Sequence, residues 1–424
     1  MCGIFGISLA NTLVSKKLFA ESLDLINHRG PDMTGIRHDE NENIAFGHKR
    51  LSIIDLSDLG SQPMSTPNSS YQIIFNGEIY NFKEIRNDLE KLNYSFISQT
   101  DTEVLLNSYA EWGPDCVKRF KGMFAFAIFD QKRKTIFLCR DGAGEKPLYY
   151  SIHDGNLFFC SEIKPILNFE KKLNIIDSEA FSYLFDHGFT RRDKSIFKNI
   201  YKLKAGHSLT FNIQDRDYEI HNYWSLPKKI NEYYINKSHV SESDLLLELE
   251  NHMEQAVQSQ LDADVPIGIM LSGGLDSSLI TAFASRFKEK INTFTVSFSG
   301  HGLFDETSHA KLIADAFQTN HHELEAQAIN PKIIEDLTYY YDDPMFDPSM
   351  IPTYLVSEAI SKNFKVALSG DGGDELFGGY NHYSKLARLK KFSTLMPYFL
   401  RQSLNNLSQN VLPLGFRGRK TVEL

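Results

Sequence analysis

Cysteine is scarce in this 424-residue chain: Cys2, Cys116, Cys139 and Cys160 are the whole complement. None forms a CxxC pair and none has histidine at zinc spacing. That excludes a thiolate zinc site and, at this length, a disulfide framework. Long apolar runs are missing as well; no segment reaches the roughly 20 residues a membrane-spanning helix needs, so no membrane partner is expected. The apolar stretch Cys2–Ala10 has no basic segment before it and no small-residue cleavage site after it. A signal peptide is therefore not expected, and the cytoplasm is the expected location. Concentrated positive charge is absent. Net charge is −9, and the runs Lys16-Lys17, Lys132-Arg133-Lys134 and Arg417–Lys420 are short, which argues against nucleic acid as a partner. There is no internal repeat and no low-complexity block.

What is present is the balance of a globular protein, with 42% hydrophobic and 23% charged residues. The chain is too long for one ordinary core, so two or more domains are expected. Residues 2–210 hold short β-type runs at Ile4–Ser8, Ile44–His48, Tyr71–Asn76, Ala125–Asp130, Ile136–Arg140 and Leu157–Ser161. Helical stretches intervene at Phe82–Leu92 and Glu103–Glu111, an α+β pattern in which antiparallel strands dominate. Residues 211–240 are polar and aromatic with little periodicity, and read as a connector. From Ser241 to 424 the texture becomes α/β. Apolar strands at Ile267–Leu271, Thr293–Phe298 and Lys365–Ser369 alternate with helices at Glu242–Leu261, Ser277–Phe287, Glu306–Phe317, Pro331–Tyr341 and Pro352–Ser361. Near-continuously apolar strands between helices indicate a doubly wound parallel sheet, with ligands beyond the carboxyl ends of its strands.

The first candidate site begins at Met1-Cys2-Gly3. A small second residue permits removal of the initiator methionine, leaving Cys2 with a free α-amine. Such an amine, of ordinary pKa about 8, can act as a base on its own thiol without a histidine. Taken alone, an early cysteine has an incidental reading, and Asn76-Gly77 reads as a hairpin turn. The context is richer: His28-Arg29-Gly30-Pro31-Asp32, Gly47-His48-Lys49-Arg50-Leu51-Ser52-Ile53-Ile54-Asp55, Phe75-Asn76-Gly77-Glu78-Ile79-Tyr80-Asn81 and Thr100-Asp101-Thr102-Glu103 follow in order.

These blocks resemble the glutaminase domain of class II glutamine amidotransferases, the N-terminal-nucleophile group, over essentially all of residues 2–200. The resemblance implies an α+β N-terminal-nucleophile sandwich, with antiparallel sheets between helices. It implies that Cys2 is the nucleophile, and that Asn76 and the Gly77 N–H form the oxyanion hole. Arg50 would clamp the glutamine α-carboxylate, Glu78 and Asp101 would hold the α-amine, and Leu51, Ile53 and Ile54 would line the pocket. A guanidinium suits a carboxylate, and amide donors suit an oxyanion. One departure lies in Arg140-Asp141-Gly142-Ala143-Gly144-Glu145-Lys146-Pro147-Leu148-Tyr149-Tyr150. There Gly142 replaces a larger residue, often Arg, and is expected to loosen a surface or domain contact.

The second candidate site is Ser272-Gly273-Gly274-Leu275-Asp276-Ser277-Ser278, between a buried strand and a helix. Backbone N–H groups and a helix N-terminus cradle phosphate in such a turn. No Gly-Lys-Ser/Thr follows, so it is not a Walker A loop. The serine-rich form with an embedded Asp resembles the PP-loop of ATP pyrophosphatases. A partner loop, Ser369-Gly370-Asp371-Gly372-Gly373-Asp374-Glu375, also follows a strand. Acidic residues beside phosphate-binding glycines suit Mg²⁺. Together the two halves resemble glutamine-hydrolysing asparagine synthetases.

That resemblance implies ATP and Mg²⁺ as cofactors. Asp276 and Asp374 would hold the metal, and Ser272, Gly273, Gly274, Ser277 and Ser278 the phosphates. Leu271, Val296, Ser369 and Gly370 would contact adenosine. Asp371, where synthetases often carry Glu, would deprotonate the incoming ammonia. The implied reaction releases ammonia at Cys2 and passes it through a shielded tunnel to an adenylated carboxylic acid, aspartate in the leading reading. Asp371 and Asp342-Asp343-Pro344 leave open another acceptor, such as a uronic acid of a surface polysaccharide. The chain stops at Leu424, before the Lys-x-Asp-Arg-like and Glu-x-Arg-x-Pro-Phe-Leu-Asp-like segments expected of full synthetases. A C-terminally truncated synthetase domain, or a glutaminase or regulatory subunit with a separate C-terminal partner, is therefore a further expectation. A homodimer is expected by family analogy. Relatives that form β-lactams are disfavoured because they lack the cysteine nucleophile.

Overall fold

The apolar runs of the N-terminal half alternate little because its sheets are covered on both faces. The computed structural model describes residues 1–236, 240–297, 306–325, 331–395 and 402. The first twelve strands are β1 (Gly3–Ser8), β2 (Met33–Asp39), β3 (Ile44–Arg50), β4 (Met64–Ser65), β5 (Tyr71–Ile79), β6 (Gly122–Asp130), β7 (Thr135–Arg140), β8 (Tyr149–His153), β9 (Asn156–Cys160), β10 (Tyr201–Lys202), β11 (His207–Asn212) and β12 (Tyr218–Asn222). They form two six-stranded antiparallel sheets, in the orders β10-β8-β9-β1-β3-β2 and β12-β11-β7-β6-β5-β4. Between the sheets lie Ile4, Phe46, Ile74, Ala127 and Leu138. Helices α1 (Lys16–Asp24), α2 (Phe82–Lys91), α3 (Asp101–Trp112) and α4 (Lys164–Phe169) cover the outer faces. Phe19 and Leu23 pack under the first sheet with Phe5 and Phe158, and Leu89 and Leu105 under the second with Phe75 and Phe126. Each large side chain buried this way contributes about 1.5–3 kcal/mol. The expected sandwich of antiparallel sheets between helices is what forms.

Local chemistry sets the element ends. Thr100 caps α3, its Oγ1 accepting from the Glu103 N–H (3.2 Å), while Glu103 accepts from the Ser98 N–H (2.7 Å). This variant of the capping box fixes Asp101 as the first residue of the helix. Asn76-Gly77 differs from the hairpin reading: both residues lie inside β5, paired with Ala125 and Phe124 of β6. β2, β8 and a later strand, Asn320–Glu325, have no counterpart among the sequence-predicted strands. Residues 207–222, despite weak periodicity, form the β11–β12 hairpin at the edge of the second sheet.

The remaining helices are α5 (Ser178–His187), α6 (Leu226–Asn236), α7 (Glu242–Gln260), α8 (Leu275–Ser285), α9 (Thr307–Ala316), α10 (Pro331–Tyr340), α11 (Met350–Ser361), α12 (Gly373–Phe377) and α13 (Asn381–Leu395). The remaining strands are β13 (Ile267–Met270), β14 (Asn292–Ser297), β15 (Asn320–Glu325) and β16 (Val366–Leu368). These four form a parallel sheet in the order β15-β14-β13-β16. Phe298, the expected end of one strand, and the basic run Arg417–Lys420 lie outside the described residues. From β13 the order runs one way to β14 and β15, while β16 lies on the other side. That reversal opens a crevice at the carboxyl ends of β13 and β16.

The two halves meet through charge. The Lys164 N–H donates to Asp342 (2.8 Å) and its ammonium pairs with the same carboxylate (3.0 Å). Lys202 pairs with Asp343 at 2.5 Å, and Asp343 also accepts from the Ile196 N–H at 2.8 Å. The block Asp342-Asp343-Pro344 thus fastens the second half to the first.

Candidate active site

Cys2 is delivered to the site by β1, whose register with β3 is Gly3↔Lys49 and Ile4↔His48. Its thiol therefore lies against Leu51, whose N–H approaches Sγ at 3.4 Å. Arg29 Nε donates to the Cys2 carbonyl (2.9 Å), and another Arg29 nitrogen to Glu162 (3.0 Å). Burial pushes the Cys2 thiol up, opposed by the Leu51 N–H and the nearby amino terminus. The α-amine, on Met1 in this chain, is lowered to about 6, chiefly by burial, with Arg29 and Lys146 adding to the effect. A thiol that keeps its proton beside an amine that lacks one is the arrangement an amine base needs.

The same pocket is lined by Met1, Cys2, Arg50, Leu51, Ile53, Ile54, Asn76, Gly77, Glu78 and Asp101. Every residue assigned to glutamine by resemblance is brought together here. Asn76 is fully buried, yet neither its side-chain oxygen nor its nitrogen has a partner. An orphaned buried amide costs about 1–3 kcal/mol, so the Asn76 side chain offers both a donor and an acceptor to a group bound in the pocket. At Gly77 a Cβ would stand 2.1 Å from the Met123 carbonyl oxygen; only glycine lets β5 and β6 close up here.

Arg50 is buried, and its guanidinium donates to the carbonyls of Ser57 (2.9 Å), Ile54 (3.4 Å) and Asp55 (2.5 Å). It holds the loop as well as facing the pocket. Asp101 accepts from the Ile79 N–H (3.0 Å). Burial, with Glu78 nearby, raises its carboxyl to about 7 against the pull of that N–H. Glu78 is raised by burial and pulled back by Lys146 and the amino terminus. His48, by contrast, is buried against the Phe75 carbonyl (3.0 Å) and lowered to about 3 by burial, so it is a neutral core group.

Sequence reasoning missed Gln62, Met123 and Lys146 as pocket residues. Gln62 joins Thr102 Oγ1 (3.1 Å) and the Phe75 N–H (2.6 Å), a link across three elements that no local pattern signals. Lys146 lies in the block around Arg140, where Asp141 accepts from its N–H (3.0 Å). At Gly142 the contact is filled, not loosened: a Cβ there would stand 2.9 Å from the Trp224 ring. Cys116, Cys139 and Cys160 are buried free thiols.

The second crevice is lined by Leu271, Ser272, Gly274, Asp276, Ser277, Val296, Ser369, Gly370 and Asp371. Gly273, Ser278 and Asp374 are adjacent in the chain but are not lining residues. Gly273 takes φ +81 and lies tight against α9, where a Cβ would stand 2.6 Å from His309 Cβ, so both its conformation and its surroundings call for glycine. Ser272 Oγ accepts from the Gly274 N–H (3.2 Å), and Ser278 Oγ donates to the Gly274 carbonyl (2.7 Å). The loop thus opens onto the N-terminus of α8, where an anion is stabilised. A Cβ at Gly373 would lie 2.7 Å from Asp276 Oδ2, and one at Gly379 would lie 1.9 Å from Asp374 Oδ1. Glycine therefore lets the acidic loop close on both carboxylates. No cluster of three or more metal-ligating side chains occurs among the described residues. Mg²⁺ is held by one or two carboxylates plus phosphate oxygens, so the donor set fits that ion.

A half-buried amino-terminal thiol on a sandwich of antiparallel sheets, joined to a parallel-sheet crevice with a serine–glycine turn, defines a two-domain amidotransferase architecture. Residues 1–224 match the glutamine amidotransferase domain model, and residues 248–420 match the asparagine synthase model. The chain is 40% identical to the putative asparagine synthetase [glutamine-hydrolyzing] 2 of Methanocaldococcus jannaschii, over 95% of this chain and 79% of that one. It is 35% identical to asparagine synthetase [glutamine-hydrolyzing] 1 of Bacillus subtilis, spanning 100% of this chain and 65% of that one. Among solved structures, the glutamine phosphoribosylpyrophosphate amidotransferase of B. subtilis aligns with TM-score 0.40 and 14% identity, over 79% of this chain and 70% of that one. The chain belongs to the glutamine-hydrolysing asparagine synthetase family.

Proposed function

We propose that the chain hydrolyses glutamine at Cys2 and transfers the ammonia to an ATP-activated carboxylate, aspartate, to form asparagine. The observation that carries this reading is the unpartnered, fully buried Asn76 amide in one pocket with Cys2, Arg50 and Asp101. In the first half-reaction Cys2 Sγ attacks the carbonyl carbon of the glutamine side-chain amide while its proton passes to the α-amine. The oxyanion is met by Asn76 and the Gly77 N–H. The amine returns the proton to the leaving ammonia, and water then releases glutamate from the thioester. Arg50 takes the α-carboxylate; Asp101 and Glu78 take the α-ammonium. Because Met1 lines the pocket, its removal places the free amine on Cys2 itself.

In the second half-reaction ATP–Mg²⁺ supplies the activation that a carboxylate, a poor electrophile, needs. Ser272, Gly273, Gly274, Ser277 and Ser278 position the phosphates, and Asp276 and Asp374 suit the metal. Leu271, Val296, Ser369 and Gly370 border the nucleoside, and Asp371 takes a proton from the attacking nitrogen. A cytoplasmic location and a homodimer complete the reading. No helix among the described residues is long and apolar enough to cross a membrane.

The test assays glutamate, AMP and asparagine together from glutamine, ATP–Mg²⁺ and aspartate, for wild type and Cys2→Ala. The reading expects all three from wild type, and asparagine from the mutant only when ammonia is supplied. Cys2-dependent glutamate without AMP or asparagine would mean a working glutaminase joined to an incomplete synthetase domain or one directed at another carboxylate. Absence of Cys2-dependent glutamate would overturn the reading.

A further inference from the structure

The glutamine-pocket loop is fastened from the other half of the molecule. Leu51, Ile53 and Ile54 line the pocket, and Arg50 is bonded to the carbonyls of Ile54 and Asp55. Asp55 adopts φ +55, a left-handed conformation uncommon for a non-glycine residue and one that aspartate tolerates when its side chain bonds nearby backbone. Within its own half, the Asp55 carboxylate accepts from the Ser57 and Gln99 N–H groups (3.1 and 2.8 Å). Its own N–H, however, goes to Asp264, at 2.7 Å. The bond is reciprocated: the Asp264 N–H donates to the Ile53 carbonyl at 3.0 Å.

Asp264 stands three positions before β13, whose far end opens into the Ser272–Ser278 turn. A second connection reaches the same loop. The Ser52 N–H donates to Asp32 (2.8 Å), and Asp32 accepts from Lys365 (2.6 Å). Lys365 immediately precedes β16, whose end carries Ser369, Gly370 and Asp371 into the second crevice. β13 and β16 are the paired strands that form that crevice.

We infer that Asp264 is a positioning residue for glutamine. It holds Ile53–Asp55 in the shape that presents Arg50 and the loop backbone to the substrate, with Lys365 as the second point of attachment. The inference rests on the proposed glutaminase reading and deepens it. Binding geometry in the first pocket then depends on the strands that carry the second. Asp264 touches neither substrate nor reacting atoms, so its loss acts on glutamine binding and leaves the Cys2 chemistry in place.

The experiment measures Cys2-dependent glutamate release against glutamine concentration, in the full chain, for wild type, Asp264→Ala, Asp264→Asn and Lys365→Met. Loss of one hydrogen bond that orders a binding loop is expected to raise KM for glutamine on the order of 5- to 10-fold, with kcat within about twofold of wild type. Asp264→Asn keeps an oxygen that can accept from the Asp55 N–H, and returns KM to within about threefold of wild type. Lys365→Met raises KM in the same direction. Should Asp264→Ala fail to fold, the Asn and Lys365→Met variants still decide. An unchanged KM in Asp264→Ala and Lys365→Met, or a fall in kcat alone, would overturn the inference. A wild type that releases no Cys2-dependent glutamate would overturn the functional reading instead.

Discussion

At the scale of single residues, the site works by burial of groups that ordinarily stay wet. Asp101 shows the consequence most directly. Its carboxyl is raised from 3.8 to about 7, first by burial and then by the neighbouring Glu78. A folded state that keeps a proton the unfolded chain releases loses stability as pH rises from about 4 to about 7, and no further above that. The effect on substrate has the opposite sign. Only the ionised carboxylate attracts the glutamine α-ammonium, so KM for glutamine should fall as pH climbs through about 7. Asp101→Asn should remove that dependence and leave KM high at all pH values; the pH profile of kcat/KM checks this. Asn76, Arg50 and Asp101 were all legible as a set because their motifs bring distinctive residue types in a fixed order. That the Asn76 amide lacks a partner was not legible, since it depends on what β1, β3 and β6 leave empty around β5.

At the scale of elements, the two phosphate-type turns depend on close backbone approach. Gly273 is left-handed at φ +81 and lies against His309 and Ala310. Gly273→Ala adds both the backbone strain and a clash 2.6 Å from His309 Cβ. Misplacing a positioning turn by an ångström costs roughly 100-fold in rate. Ammonia-driven pyrophosphate release from ATP and aspartate should fall by about that factor, while Cys2-dependent glutamate formation continues. Activity in both assays, measured on one preparation, separates the turn's role from general unfolding. The strand–turn–helix texture around Ser272 was readable from apolar runs and turn residues. β15 was not: its polar sequence, Asn320–Glu325, is half-exposed at the sheet edge and has no apolar signature.

Across the whole molecule, the halves are joined by ion pairs between residues far apart in the chain. Asp342 and the Lys164 ammonium are 11% and 14% exposed as side chains, and Glu162 stands on the other side of Lys164. Burial alone would raise the Glu162 carboxyl, yet His28, Arg29 and Lys164 together hold it down to about 2. Asp342→Ala would leave the Lys164 N–H without its acceptor and the ammonium with Glu162 alone, a loss of about 1–3 kcal/mol. The urea midpoint of the folded chain should drop accordingly, with Asp342→Asn intermediate because it still accepts from the N–H. An unchanged midpoint would mean that the junction contributes nothing to stability.

On its own the sequence determined the nature of this protein's chemistry. Cys2, the ordered blocks through Asp101 and the serine–glycine turn are local arrangements, and local periodicity was enough to separate the antiparallel half from the parallel one. Tertiary structure alone decided how the two chemistries touch. The bond from Asp55 to Asp264 spans 209 positions and that from Asp32 to Lys365 spans 333. Such contacts arise because burial of the apolar sheet faces brings polar loop ends together with no pattern linking them along the chain.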